Sequence, residues 1–185
     1  MAIVRRFPPG LVDCLHIREK HRSARELTHW YRSLKPLLQR TALLINDRLD
    51  AALAVEADGV QLGGGSLTPA EARRLLPPGT RIGVSVHAPS EAAEAARQGA
   101  DFVMFGHVYA TASKPGLAPR GLHELKAAVQ ASAVPVIALG GITPERIGEC
   151  LAAGASGAAV LSSVFLHPQP EEQIIALRHA LDRMK

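Results

Sequence analysis

Short apolar stretches alternate with longer amphipathic ones along this chain, and that alternation limits the fold more than any other feature. The apolar stretches fall at residues 11–17, 41–46, 59–62, 81–85, 101–106, 134–140 and 157–162. They are largely Val, Ile, Leu and Ala, as strands covered on both faces must be. Helical patterns lie between and after them, at 23–38, 48–57, 68–75, 90–98, 121–131, 143–153 and 169–184. Strand–helix alternation predicts a parallel sheet under a layer of helices. Cap signals agree: Thr68-Pro69-Ala70-Glu71 sets Thr at N-cap, Pro at N1 and Glu at N3, and Thr143-Pro144-Glu145 repeats the opening. The turns at 57–59, 99–101 and 154–156 each close a helix with small residues and enter a strand. The expected fold is a (β/α)8 TIM-type barrel. Seven strands are found where eight are needed. Ala2-Ile3-Val4 is followed by too short a link for a parallel crossover. The first βα unit is therefore expected to be missing or truncated. Open sheet edges invite pairing with another chain, which predicts a homo-oligomer.

A chain of 185 residues fits one domain, 1–185, with a sizeable core. The formal net charge of +4 suits an anionic ligand. Lysine and arginine are scattered and aromatics make up only 4%. No stacking platform on a basic face is predicted, which argues against a nucleic-acid partner. No apolar run reaches the length of a membrane span, so no membrane partner is expected. Arg5-Arg6 is not followed by the apolar segment of a secretory signal, and a cytoplasmic location is expected. Cys14 and Cys150 stand in no CxxC pair and are expected to be reduced core residues.

Parallel barrels build their sites at the C-terminal ends of the strands. Two such ends read as a phosphate cradle. Gly140-Gly141 lets backbone approach a ligand without a Cβ clash. Ser162-Ser163 follows the next strand and adds hydroxyls, and helix starts after both strands offer free N–H groups. His107, just past residues 101–106, is the candidate catalytic residue, since imidazole takes up and returns protons near neutrality. The alternative reading is a loop histidine with a satisfied ring. Lys114, in the long loop that follows, is a candidate anion ligand. His16, Arg18 and Lys20 share one direction at the first strand's end and suit phosphate or carboxylate, or form a solvated charged turn. Asn46 ends the second strand. Asp47 beside it reads as a Mg²⁺ ligand or as a helix cap. Ser85 is placed to hydrogen-bond a small ring.

These strand ends resemble the thiamine phosphate synthase superfamily. The matching strings are HIREK (16–20), LLINDRLDAALAVEADGVQLG (43–63), GVSVH (83–87), FGHVYATASK (105–114), PVIALGGIT (135–143) and GASGAAVLSSVF (154–165). Within it the chain looks more like the TenI branch of thiazole tautomerases. His16 stands where synthases carry glutamine, Gln61 where they carry histidine, and Ser66 where they carry an acid. The resemblance implies isomerisation of a dihydrothiazole carboxylate phosphate to the aromatic thiazole, with His107 moving the proton and no metal or cofactor required. A small phosphorylated thiazole is then the ligand, held by Gly140, Gly141, Ser162 and Ser163. Two alternatives stand: a Mg²⁺-dependent thiamine phosphate synthase joining a pyrimidine pyrophosphate to thiazole phosphate, and a non-catalytic phosphate-ligand binder.

Overall fold

The computed structural model describes residues 2–183. Seven parallel strands form one sheet: β1 (Cys14–Ile17), β2 (Ala42–Asn46), β3 (Gly59–Leu62), β4 (Arg81–Val86), β5 (Phe102–Gly106), β6 (Val136–Leu139) and β7 (Gly157–Ala159). Their spatial order is their chain order. Helices α1 (Ala24–Leu34), α2 (Leu49–Ala54), α3 (Pro69–Leu75), α4 (Pro89–Arg97), α5 (Gly121–Ala131), α6 (Ile147–Ala152), α7 (Ser162–Phe165) and α8 (Pro170–Asp182) cover the outside. The chain is thus an open (β/α) barrel, a TIM-like fold with one βα unit fewer than the closed form. Among the described residues, β1 and β7 each pair with a single neighbour. Residues Val4–Arg6 form a 3-10 turn, not a strand. The expected end of the last helix, at Met184, lies outside the described residues.

Register and burial separate the two sheet faces. Leu43, Ile45, Val60, Leu62, Ile82, Val103 and Phe105 pack under the helices in two apolar clusters. The alternate positions Leu44, Asn46, Gln61, Gly83, Ser85 and Met104 share the other face, toward the barrel axis. Phe7 and Phe165 touch both clusters and meet edge to face, with ring centroids 5.9 Å apart. Arg6 reaches Glu171 at 2.7 Å, and Arg178 reaches Asp13 at 3.0 Å. Side chains therefore tie the two ends of the sheet together.

Two of the predicted turns share a device at the base of the barrel. Asp58 Oδ2 accepts the Leu43 N–H at 2.7 Å, and Asp101 Oδ2 accepts the Ile82 N–H at 2.6 Å. In each case an aspartate entering one strand satisfies the first free donor of the strand before it. Lys35 pairs with Asp58, and Arg73 with Asp101.

Several element ends differ from expectation. Thr68 does cap α3, with the full reciprocal box to Glu71. Thr143 does not cap a helix. Its carbonyl accepts from the N–H groups of Arg146 and Ile147, and α6 opens only at Ile147. The chain spends Gly140 and Gly141, at φ +100° and +65°, on a turn first. Ser162, expected to close the last strand, opens α7 instead. No helix of the described residues is long and apolar enough to cross a membrane.

Candidate functional site

A parallel sheet brings all its C-terminal ends to one rim, and this rim carries most of the predicted site residues. His16, Arg18 and Lys20 stand at the end of β1, Asn46 at β2, Ser85 near the end of β4, and Gly140 and Gly141 after β6. Arg18 and Lys20 are exposed, Lys114 is half-buried, and Ser162 and Ser163 are half-buried.

Toward the barrel axis the polar groups are neutral. Burial without a partner lowers the His16 pKa to about 4, so its ring is uncharged at neutral pH. Gln61 Nε2 donates to Ser85 Oγ at 3.0 Å. Gln61 Oε1 is buried and unpartnered. The Gln61 side chain occupies the space that a Cβ on Gly83 would fill, 2.3 Å from Oε1.

Asp47 follows β2 in the left-handed region, at φ +66°. Its N–H donates to Gln61 O, and Ser66 Oγ donates to its Oδ1 at 2.5 Å. Asp47 does not cap the next helix, since α2 opens behind Arg48 with no side-chain cap. Among the described residues no three His, Cys, Asp or Glu side chains gather as a metal cage would need. A Mg²⁺ ion takes one or two carboxylates and fills its shell with substrate phosphates and water. The exposed Asp47 carboxylate, flanked by the Ser66 hydroxyl, fits that sparse donor set.

Two recesses open near the rim. The larger, about 460 Å³, is lined by Gly63, Ser66, Leu67, Ser85, Glu91 and Glu94. Its glutamates repel an anion. The other, about 340 Å³, is lined by Ala110, Thr111, Gly141, Thr143, Arg146, Ser162 and Ser163, among others. It has hydroxyls, a glycine turn and a guanidinium, which suit a phosphate. Three of the four predicted cradle residues line it. Gly140 sits behind them, where an added Cβ would strike His107 Cβ at 2.3 Å. Helix α7 has only four residues, so a helix dipole adds little at this recess and its polar character comes from hydroxyls and N–H groups.

Arg146, Tyr109, Thr111 and Thr143 were not foreseen. Arg146 Nη1 donates to Gly141 O at 3.0 Å, and its Cζ lies 4.8 Å from the Tyr109 ring centroid. Tyr109 Oη donates to Glu149 Oε2 at 2.6 Å. Burial, then that bond, raises the phenol pKa, so Tyr109 stays a neutral donor. The only local signal was an arginine two residues past the proline that follows the glycine pair.

His107 is placed differently from expectation. It is 5% exposed and lines neither recess. Its Nε2 lies 3.2 Å from Leu117 O, where the loop folds back over the ring. A carbonyl only accepts, so Nε2 carries the proton and is engaged. Nδ1 is buried without a partner. An imidazole so enclosed lines neither recess, and the structure gives no support to proton transfer by His107.

The fold and rim define an open (β/α) barrel with a glycine- and serine-lined recess between its last strands. A family model described as thiamine monophosphate synthase matches residues 1–164, and the chain belongs to that family. A Geobacter sulfurreducens protein provisionally named thiamine-phosphate synthase is 46% identical over 180 residues, covering 96% of this chain and 84% of its own. The thiamine-phosphate synthase of Chlorobium phaeovibrioides is 45% identical over 164 residues, covering 87% and 78%. A solved thiamine phosphate pyrophosphorylase from Pyrococcus furiosus superposes with a TM-score of 0.88 at 31% identity, covering 99% of this chain and 89% of that one. These relatives overturn the expected thiazole tautomerase: they are named for synthesis of thiamine phosphate, a transfer and not an isomerisation.

Proposed function

We propose that this chain is a thiamine-phosphate synthase, a transferase that joins a pyrimidine pyrophosphate to a thiazole phosphate. The observation that carries the reading is the 39–46% identity, over 84% or more of the chain, to relatives bearing that name. One recess with hydroxyls and a guanidinium, and the exposed Asp47 carboxylate elsewhere on the rim as a candidate cation ligand, are compatible with it. In the reaction the thiazole nitrogen forms a C–N bond to the pyrimidine methylene carbon. The C–O bond to pyrophosphate breaks, and its electron pair leaves with pyrophosphate.

Gly141, Ser162 and Ser163 would hold the thiazole phosphate through N–H and hydroxyl donors, keeping the ring nitrogen turned toward the axis. His16, Gln61 and Ser85 offer the second ring uncharged hydrogen-bonding groups, which do not compete with the leaving group for cations. Asp47 would hold Mg²⁺, with pyrophosphate completing the shell. When bound, that ion supplies neutralisation of the charge growing on the leaving pyrophosphate. Arg18, Lys20 and Lys114 add cationic charge at the same rim.

The test is direct. Protein incubated with both substrates and Mg²⁺ is expected to release thiamine phosphate and pyrophosphate in equal amounts, and EDTA to stop it. No product, under conditions in which a relative turns over, removes the reading.

A further inference from the structure

Arg146 is exposed, yet it is held in place. One guanidinium nitrogen donates to the Gly141 carbonyl at 3.0 Å. The Tyr109 ring lies beneath its Cζ at 4.8 Å. Tyr109 is fixed in turn by Glu149, one turn along the helix that Arg146 opens, at 2.6 Å. Cys150 Sγ stands 3.9 Å from the same phenol oxygen. Free arginine loses considerable rotamer freedom when it grips a ligand; here the ordering is done before the ligand arrives. Its direct partners are a carbonyl and a ring, so it forms no ion pair, although the adjacent Glu145 carboxylate feels its charge. Of the residues that line the 340 Å³ recess, Arg146 alone is charged.

We propose that Arg146 is the residue by which this recess recognises a phosphate monoester. The edge of the guanidinium not spent on Gly141 binds phosphate oxygens, while Gly141, Ser162 and Ser163 supply neutral donors. The recess then selects a phosphorylated ring over the same ring with a free hydroxyl. Tyr109 and Glu149 are positioning residues: they touch no substrate and fix the plane of the fork. This inference rests on reading the recess as the phosphate site of the synthase.

The experiment compares wild type with Arg146→Gln, Arg146→Lys and Tyr109→Phe. Arg146→Gln is expected to raise KM for thiazole phosphate about 10- to 100-fold, as loss of a charge-assisted pair does. KM for the pyrimidine pyrophosphate, and use of unphosphorylated thiazole alcohol, are expected to change less than about threefold. Arg146→Lys restores only part of the loss, because an ammonium lacks the planar fork. Tyr109→Phe keeps the ring face but cuts the tie to Glu149, and raises KM a few-fold. Glycerol phosphate titrated by ³¹P NMR gives a readout free of turnover: wild type binds it, and Arg146→Gln binds it at least about tenfold more weakly. Equal phosphate binding by the two proteins, or none by wild type, overturns the proposal. Should wild type make no thiamine phosphate, the functional reading falls while the phosphate titration still judges Arg146.

Discussion

The imidazole of His107 and the carbonyl of Leu117, ten residues apart in the chain, meet at 3.2 Å and pin the β5–α5 loop against the barrel. The same loop is held by the Arg120 N–H donating to His107 O and by Gly121 N–H donating to Val108 O. His107 is therefore a fastener. His107→Ala removes the bond and leaves a void under the loop, at a cost of about 2 kcal/mol. A lower urea midpoint and faster protease cleavage between residues 110 and 120 are expected. Unchanged cleavage would mean that the loop is held by other means.

His16 makes stability depend on pH. Its pKa is about 4 in the fold, against 6.5 for a free histidine. Above about pH 6.5 the ring is neutral both folded and unfolded, and stability is at its full value. Between 6.5 and 4 the unfolded chain takes up a proton that the fold does not, so stability falls with pH, by at most about 3 kcal/mol. Urea titrations at pH 7, 5 and 4 should show this fall, and His16→Gln should fall less over the same window. Parallel curves for the two proteins would refute it.

Gly141 has two reasons to be glycine. Its φ is +65°, and a Cβ would stand 2.6 Å from Ala110 O and 2.8 Å from Tyr109 Cβ. Gly141→Ala is expected to cost about 1–3 kcal/mol and to raise KM for thiazole phosphate more than about tenfold. Gly65→Ala is the contrast. A Cβ there meets nothing within 4 Å, and the melting temperature should stay within about a degree.

Asp101 tests the base of the barrel. Asp101→Ala leaves the fully buried Ile82 backbone N–H without an acceptor and should cost about 1–3 kcal/mol. Asp101→Asn keeps an acceptor and loses only its negative charge opposite Arg73, an exposed pair worth little. Thermal unfolding of both variants checks the order, and equal losses would assign the effect to the ion pair.

The barrel was readable because each strand carries its own apolar signature and strand order equals chain order. Asp58 and Asp101 sit in turns marked by small residues, so the base of the barrel is legible in the sequence. Element ends were harder. Thr143-Pro144-Glu145 has the composition of a helix cap, but the glycine pair before it consumes the chain in a turn. The direction of His107 depends on a loop returning at Leu117, which no local pattern encodes. Arg146 gains its place from Tyr109, on a different strand end. That Gly141, Ser162 and Ser163 meet at one recess was readable, since this needs little beyond small size and their position after a strand.

Backbone ladders hold every neighbouring pair of strands from β1 to β7, but among the described residues no ladder spans the gap between those two. That seam is fastened by Phe7 on Phe165 and by surface ion pairs such as Arg6 with Glu171. Such a fastening breathes at far lower free energy than the middle of the sheet. Solvent deuterium would reach the amides bordering the seam well before those of β3, β4 and β5, and a cut behind Phe7 would loosen the wall while leaving its far side intact.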